Sequence, residues 1–220
     1  MRKNPLVNDQ YYHIVTRSIA KFKFFNNDED YFRIIELLNF YRFAELPCKY
    51  SKFTLLSPPH QKAIFADLDK SGEQIVAIVA YCIMPTHIHL ILKQLVNNGI
   101  SKYMRTLLDS YSKYFNIKHD RKGPLYECRF KNVLIESDEQ MLHVSRYVHL
   151  NAVTAGLVKK PQDWKFSSYQ EYIGKKSGFC QFDDVMDIKP KEYRKFVCDH
   201  IAYQKELSRI KHLLIDNYTD

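Results

Sequence analysis

The sequence lacks any apolar run long enough to cross a bilayer, and its N-terminus, Met-Arg-Lys-Asn-Pro, leads into polar sequence. A membrane-spanning helix needs about 20 mostly apolar residues, and a secretory leader needs an apolar region after its basic start. We therefore expect a cytoplasmic protein that has no membrane partner.

Cysteine and glycine are both scarce. The five cysteines are odd in number and far apart, and they form no CxxC pair: Cys48, Cys82, Cys128, Cys180 and Cys198. This pattern argues against a disulfide framework and against a structural zinc site. The six glycines form no glycine-rich loop of the kind that cradles nucleotide phosphates.

Positive charge and aromatic side chains are plentiful instead. The net charge is +8, and the chain contains 16 Tyr and 14 Phe. Basic side chains near phosphates release counterions, so the charge suits a polyanionic partner. Aromatic rings offer stacking faces for unpaired bases, although filling the core accounts for most of them. Composition alone leaves nucleic-acid binding open.

Hydrophobic periodicity predicts seven elements along the chain. Two of the predicted helices have cap signals, namely Asp28 for the first and Ser137 or Asp138 for the last, which Gly156 ends. In order, the elements are a strand at 11–16, a helix at 29–44, strands at 75–84 and 87–93, a helix with its apolar face at 100–115, an extended segment at 125–135 and a helix at 138–155.

The first six of these elements match the split βαβ order of ferredoxin-like folds. We therefore predict an α+β fold in which two helices cover one face of an antiparallel sheet and the last helix lies on the open face. Residues 1–175 are expected to form the main domain, with a partly helical insertion at about 48–72. Residues 176–220 are expected to form a C-terminal helical extension, with a helix over 191–218.

Two histidines on one predicted strand are the first candidate site. In the run His-Ile-His-Leu-Ile-Leu from 87 to 92, alternation places Ile88, Leu90 and Leu92 on the core side and His87 and His89 on the other. Two imidazoles at i and i+2 can jointly hold a metal ion, although two half-exposed histidines without a task fit the same pattern. Ile91 stands where a histidine-triad hydrolase needs a third histidine. A zinc hydrolase would need a third ligand at matching spacing, and no such motif stands out.

The last predicted helix contains the second candidate site. His143, Tyr147 and Asn151 recur every four residues and form a polar stripe. A tyrosine on such a stripe can act as a nucleophile. A partly buried tyrosine with a hydrogen-bonded hydroxyl explains the same residues.

Taken together, four segments resemble the single-tyrosine HUH transposases, the IS200-like family with its REP-associated relatives. They are Met-Pro-Thr-His-Ile-His-Leu at 84–90, Gly-Pro-Leu-Tyr-Glu-Cys-Arg-Phe-Lys at 123–131, Tyr-Val-His-Leu-Asn at 147–151 and Trp-Lys-Phe-Ser-Ser-Tyr at 164–169. The likeness runs from about residue 11 to residue 172. Thr86 replaces the family's usual Asn, and Ala152 replaces its common Pro.

The resemblance implies metal-dependent cleavage and rejoining of single-stranded DNA, used in transposition or in REP-element processing. Tyr147 would attack a phosphate and form a 5′-phosphotyrosine. His87, His89 and Asn151 would bind one divalent cation, for which the ligand types favour Mn²⁺ and the resemblance adds Mg²⁺. The expected partners are single-stranded DNA with hairpins and a second copy of the chain in a homodimer.

Three basic residues are candidates for holding the DNA backbone, namely Arg17, Arg129 and Lys131. A solvated basic strand edge explains Arg129 and Lys131 equally well. Two other functions remain open. One is a domesticated hairpin-binding regulator without catalysis, and the other is a replication initiator or relaxase of the wider HUH group.

Overall fold

The computed structural model describes residues 5–182 and 187–204. Its strands are β1 (Tyr11–Arg17), β2 (Val76–Met84), β3 (His87–Gln94) and β4 (Lys131–Ile135). Its α-helices are α1 (Asp28–Phe40), α2 (Tyr50–Phe53), α3 (Pro58–Ser71), α4 (Gly99–Lys118), α5 (Asp138–Thr154), α6 (Tyr169–Tyr172) and α7 (Pro190–Cys198), and short 3-10 helices occupy Ile19–Lys21 and Pro161–Asp163. No helix in these two ranges is long and apolar enough to span a membrane.

The four strands form one antiparallel sheet in the order β2-β3-β1-β4. β2 and β3 form the predicted hairpin, while β1 and β4 come from distant parts of the chain. This is the strand order of a split βαβ fold, so the predicted α+β ferredoxin-like architecture is confirmed.

The two faces of the sheet carry different helices, as predicted. On one face, Ile34 of α1 and Leu107 of α4 share a buried cluster with Ile88, Leu90 and Leu92 of β3. On the other face, Val148 of α5 shares a second cluster with Ile91. Alternation along β3 therefore sends its even-numbered residues to α1 and α4 and its odd-numbered residues to α5.

Strand β2 is buried along its whole length. Its outer edge receives loop segments, because Ile83 donates its N–H to the Phe166 carbonyl and Gln181 donates to the Ile78 carbonyl. Its side chains are shared between the buried clusters on the two faces of the sheet, which explains why the strand is an unbroken apolar run.

The first helix differs from the prediction at both ends. Its N-cap is Asn27, whose side chain accepts from the Asp30 N–H, and not Asp28. The helix ends at Phe40 because the chain then pairs with the segment before β2. Ile75 donates to the Arg42 carbonyl, and Ala44 donates to the Glu73 carbonyl. The region predicted as a partly helical insertion contains α2 and α3.

The extended segment predicted at 125–135 is a strand in its second half, over β4. Before β4, the backbone bonds to the last residue of β1 and to the loop that follows it, since Glu127 donates to the Arg17 carbonyl and Ile19 donates to the Leu125 carbonyl.

Helix α5 begins at the N-cap Ser137, whose side chain accepts from the Gln140 N–H, and Gly156 follows it at φ +71°. That left-handed conformation suits glycine. The predicted tail helix begins as expected with α7, but α7 ends at Cys198 and a turn at 199–200 interrupts the predicted helix, while positions 205–218 lie outside the described residues. The division of the chain at residue 175 stays a prediction.

Candidate active site

The register of the sheet brings the two histidines of β3 beside basic residues of the neighbouring strands. Arg17 lies directly opposite His87, and Val15 lies opposite His89 on one side and Lys131 on the other. Because residues opposite each other in an antiparallel pair point to the same face, Arg17 and Lys131 share the α5 face with both histidines.

A third histidine joins the pair. His13 of β1 places its Nε2 3.1 Å from the Nδ1 of His89. The planes of the two rings are 14° apart, and their centroids are separated by 5.3 Å. Sequence analysis missed His13, although its alternate position on β1, next to β3 in the predicted fold, was the available signal.

All three imidazoles are buried enough to stay neutral at physiological pH. Burial lowers the pKa of His13 to about 4 and that of His87 to about 4, and the charge of Arg17 acts on His87 in the same direction. His89 is 3% exposed, and burial holds its pKa well below the ordinary value. Neutral imidazoles keep a lone pair, as metal ligands must.

The hydrogen bonds of the pair leave the same ring atom of each histidine uncommitted. Thr86 Oγ1 lies 3.0 Å from the Nδ1 of His87, and His13 occupies the Nδ1 of His89. Within the described parts of the chain, no hydrogen bond reaches the Nε2 of His87 or His89. The two rings lie 4.9 Å apart between centroids, at 81° to each other.

Tyr147 reaches this cluster from α5. Its ring meets His13 and His89 edge-on, with centroid distances of 5.8 Å and 5.6 Å. The side chain is 40% exposed. Burial raises the pKa of Tyr147, and the positive charge of Arg17 opposes that rise. The phenol is therefore protonated at neutral pH, and the positive charge of the Arg17 guanidinium favours loss of its proton.

Asn151 is not joined to the histidines by any hydrogen bond among the described residues. Its Nδ2 donates to the backbone carbonyls of Tyr147 and Val148, at 2.8 Å and 3.4 Å. This anchors the amide nitrogen on the helix and leaves Oδ1 as the atom available to a ligand.

His143 lies outside the cluster. Its Nδ1 is 2.8 Å from a guanidinium nitrogen of Arg146, and its ring contacts Phe196 of α7. Four residues of an α-helix exceed one turn by about 40°, so a stripe with that spacing curves around α5. His143, one turn nearer the start of α5, contacts α7, while Tyr147 contacts the histidines of the sheet.

A divalent cation could be held here only by histidine and asparagine side chains together. No three His, Cys, Asp or Glu side chains converge on a metal position in the ranges that the structure describes. Two neutral imidazoles whose Nε2 atoms make no hydrogen bond among the described residues and one amide oxygen nevertheless form a mixed nitrogen and oxygen donor set, which suits Mn²⁺ better than Mg²⁺. Arg129 is exposed in the segment before β4, and within 5–182 and 187–204 no hydrogen bond joins it to the cluster.

Comparison with known proteins supports the resemblance that the sequence motifs indicate. Residues 46–151 match the family model described as "Transposase IS200 like". The match includes both β3 histidines and Tyr147, and it ends at Asn151. It also includes α2 and α3. The resemblance inferred from the motifs is therefore confirmed.

Two related proteins extend the comparison. A Haemophilus influenzae protein described as "Putative REP-associated tyrosine transposase" is 31% identical over 106 residues, which cover 43% of this chain and 60% of that protein. The chain thus spans less than two thirds of that curated relative. A solved REP-associated tyrosine transposase bound to a REP hairpin has a TM-score of 0.53 over 86% of this chain and 98% of that one, at 15% identity. At that identity the likeness concerns the fold.

Proposed function

Because this chain is related to the IS200-like transposases, we propose that it cleaves and rejoins single-stranded DNA through a covalent 5′-phosphotyrosine at Tyr147. One observation carries the proposal, namely that the Tyr147 ring lies against His89, and that among the described residues no hydrogen bond occupies the Nε2 of His89 or of His87. A tyrosine beside two neutral imidazoles on a sheet face is an arrangement that phosphoryl transfer can use.

In this proposal His87, His89 and Asn151 hold one divalent cation, Mg²⁺ or Mn²⁺. When bound, the cation neutralises charge on the oxygens of the scissile phosphate. The two histidines contribute neutral Nε2 atoms, and Asn151 contributes Oδ1 while its amide nitrogen stays anchored to the Tyr147 carbonyl. Mg²⁺ prefers oxygen ligands, so by ligand type the two nitrogens favour Mn²⁺.

The nucleophile reacts in a balanced exchange. The Tyr147 oxygen forms a bond to phosphorus while the bond from phosphorus to the 3′ oxygen breaks, the phenol proton leaves to solvent, and the 3′ oxygen takes up a proton. A 3′ hydroxyl later attacks the phosphotyrosine and reseals the strand. Arg17 assists by favouring the tyrosinate.

The DNA backbone is proposed to cross the sheet beside the cluster. Arg17 and Lys131 face the same side as the histidines and are exposed, and Arg129 precedes β4 on the same edge of the site. Cations so placed hold phosphates without reading sequence. A hairpin as the DNA partner is proposed from the solved relative, which is bound to one. Homodimer formation is likewise a proposal.

Covalent trapping tests the proposal directly. The protein is incubated with labelled single-stranded DNA that carries hairpins from its own flanking genome, with Mg²⁺ or Mn²⁺, and run on a denaturing gel. We expect a metal-dependent protein–DNA adduct that disappears in Tyr147→Phe and persists in Tyr203→Phe, a control at an exposed tyrosine of the C-terminal segment.

The other outcomes point elsewhere. Tight hairpin binding without an adduct under either metal would identify a domesticated hairpin-binding regulator. An adduct that survives in Tyr147→Phe would show that another residue is the nucleophile.

A further inference from the structure

We infer that His13 is a positioning residue that accepts a hydrogen bond from the Nδ1–H of His89 and thereby stabilises the tautomer whose Nε2 lone pair can bind the cation. The inference rests on the proposed function, because it concerns how the same site holds its ion. It adds to the site a residue from β1, outside the matched family segment at 46–151.

The first step is the geometry of the contact between the two rings. The distance between the ring centroids, 5.3 Å, exceeds the N···N distance of 3.1 Å. The difference is about twice the distance from the centroid of an imidazole to its nitrogen. That relation holds only when the two nitrogens lie on the line between the centroids. With planes 14° apart, the rings meet edge to edge, which is the geometry of a well-aligned hydrogen bond.

The second step is the position of the proton. A neutral imidazole has one N–H and one lone pair. If His13 donates to the Nδ1 of His89, then the proton of His89 is on Nε2, and that atom cannot bind a cation. If the Nδ1–H of His89 donates to the Nε2 of His13, the Nε2 of His89 has a free lone pair. Cation binding therefore selects the second tautomer, with His13 as the acceptor.

The third step is the placement of His13 itself. Its backbone lies in the centre of β1, opposite Ile91 of β3 and Val133 of β4. Its ring also contacts the edge of Tyr147 at 5.8 Å between centroids. The orienting residue is thus fixed by the sheet on both sides, and it lies between the proposed ligand and the proposed nucleophile.

The partner of a metal-binding histidine commonly changes metal affinity by about 10–100-fold when it is removed. His13→Leu removes the acceptor and puts an apolar side chain in its place. His13→Gln retains a carbonyl oxygen that can accept a hydrogen bond from the Nδ1–H of His89. His60→Leu is the matched control, because His60 is an exposed histidine on α3.

The experiment measures Mn²⁺ affinity by electron paramagnetic resonance for the full chain and the three variants, without DNA. We expect His13→Leu to bind Mn²⁺ about 10–100-fold more weakly, His13→Gln to recover most of the affinity, and His60→Leu to match wild type. Nitrogen-15 NMR of the Mg²⁺-loaded wild type should show His89 protonated at Nδ1. The Nδ1–H proton resonance of His89 should also lie further downfield in wild type than in His13→Leu, because only the wild type offers that proton a nitrogen acceptor, and a purely structural role of His13 would not shift it.

Wild-type affinity in His13→Leu, or a Mg²⁺-loaded His89 protonated at Nε2, would overturn the inference and leave the proposed function standing. If His13→Leu does not fold, His13→Gln and the wild-type tautomer decide. A wild-type chain that binds neither cation would overturn the inference together with the proposed metal site. Normal metal binding without any DNA adduct would overturn the proposed function alone.

Discussion

The ring of Tyr147 stands edge-on to His89 of the same chain, with centroids 5.6 Å apart and planes at 87°. This relationship exists because α5 packs on the sheet face that carries the odd-numbered residues of β3. Val148 of α5 lies in the buried cluster that contains Ile91, so the packing that buries one side of the helix also delivers the tyrosine to the histidines.

The first prediction concerns whether one chain supplies the whole site. A mixture of Tyr147→Phe and His87→Ala proteins should form no DNA adduct, since neither chain has both the nucleophile and the complete histidine pair. The measurement is adduct yield on a denaturing gel after the two variants are unfolded and refolded together. Recovery of up to about a quarter of wild-type yield would instead mean that the tyrosine of one chain serves the histidines of another, as random pairing into dimers would allow.

The second prediction concerns Arg17. Removing its charge in Arg17→Gln should weaken binding of single-stranded DNA, because one phosphate then has no cationic side chain beside it. The slope of log affinity against log salt should fall by about 0.7 for each phosphate of a single strand that the protein no longer neutralises. Fluorescence anisotropy at several salt concentrations measures both quantities.

Lys62→Gln is the control for Arg17→Gln. Lys62 is exposed on α3, and Phe65 of the same helix packs on the cluster below the opposite sheet face. Equal effects of the two substitutions would show that the general positive charge, and not the position of Arg17, governs DNA binding.

The sequence predicted the parts of the site that lie within one element. Alternation along a strand placed His87 and His89 on one face, and helical spacing placed Tyr147 on α5. His13 was not predicted as a site residue because its role depends on a partner 76 positions away in the chain. Contacts between distant strands leave no local pattern in the sequence. The polar stripe on α5 was extended too far for a related reason, since spacing alone does not show that His143 turns toward α7.

The fold followed the same division. The order of strands and helices was readable, because each element buries one face and repeats with its own period. The ends of the elements were harder to predict from the sequence. Residues 42–44 continue a helical pattern in sequence, yet their backbone groups pair with residues 73–75. Long-range backbone hydrogen bonds overrode local propensity there.

The third prediction concerns a buried polar network that ties α7 to α5. The Nδ1 of His149 lies 2.6 Å from the Tyr193 hydroxyl, which donates to Ser145 Oγ, and the Nε2 of His149 lies 2.9 Å from Ser168 Oγ. Tyr193→Phe should lower the free energy of unfolding by about 1–3 kcal/mol, because it leaves the Nδ1–H of His149 buried without an acceptor. Urea unfolding measures the change. Tyr203→Phe, at an exposed position, should leave stability unchanged, and an equal effect of both would refute the role of the network.

The fourth prediction is a loss of stability in mild acid that depends on His149. Burial lowers the pKa of His149 to about 3 in the folded chain, from an ordinary value of 6.5. Above pH 6.5 His149 is neutral in both the folded and the unfolded chain, so it contributes no pH dependence to the free energy of unfolding there. Below pH 6.5 the unfolded chain takes up a proton that the folded chain refuses until about pH 3, so stability falls as pH falls through this window. The buried His13 and His87 act in the same direction.

Replacing His149 should therefore make the protein less stable at neutral pH and less sensitive to acid. A single histidine of this kind costs about 1.4 kcal/mol per pH unit, or about 2 kcal/mol between pH 6.5 and pH 5. His149→Gln should lose about that much less than wild type when urea unfolding is compared at pH 7.5 and pH 5. His60→Gln, which alters an exposed histidine, should lose as much as wild type. Identical losses in His149→Gln and wild type would mean that His149 takes up its proton without unfolding, and that the network around it opens in the folded state.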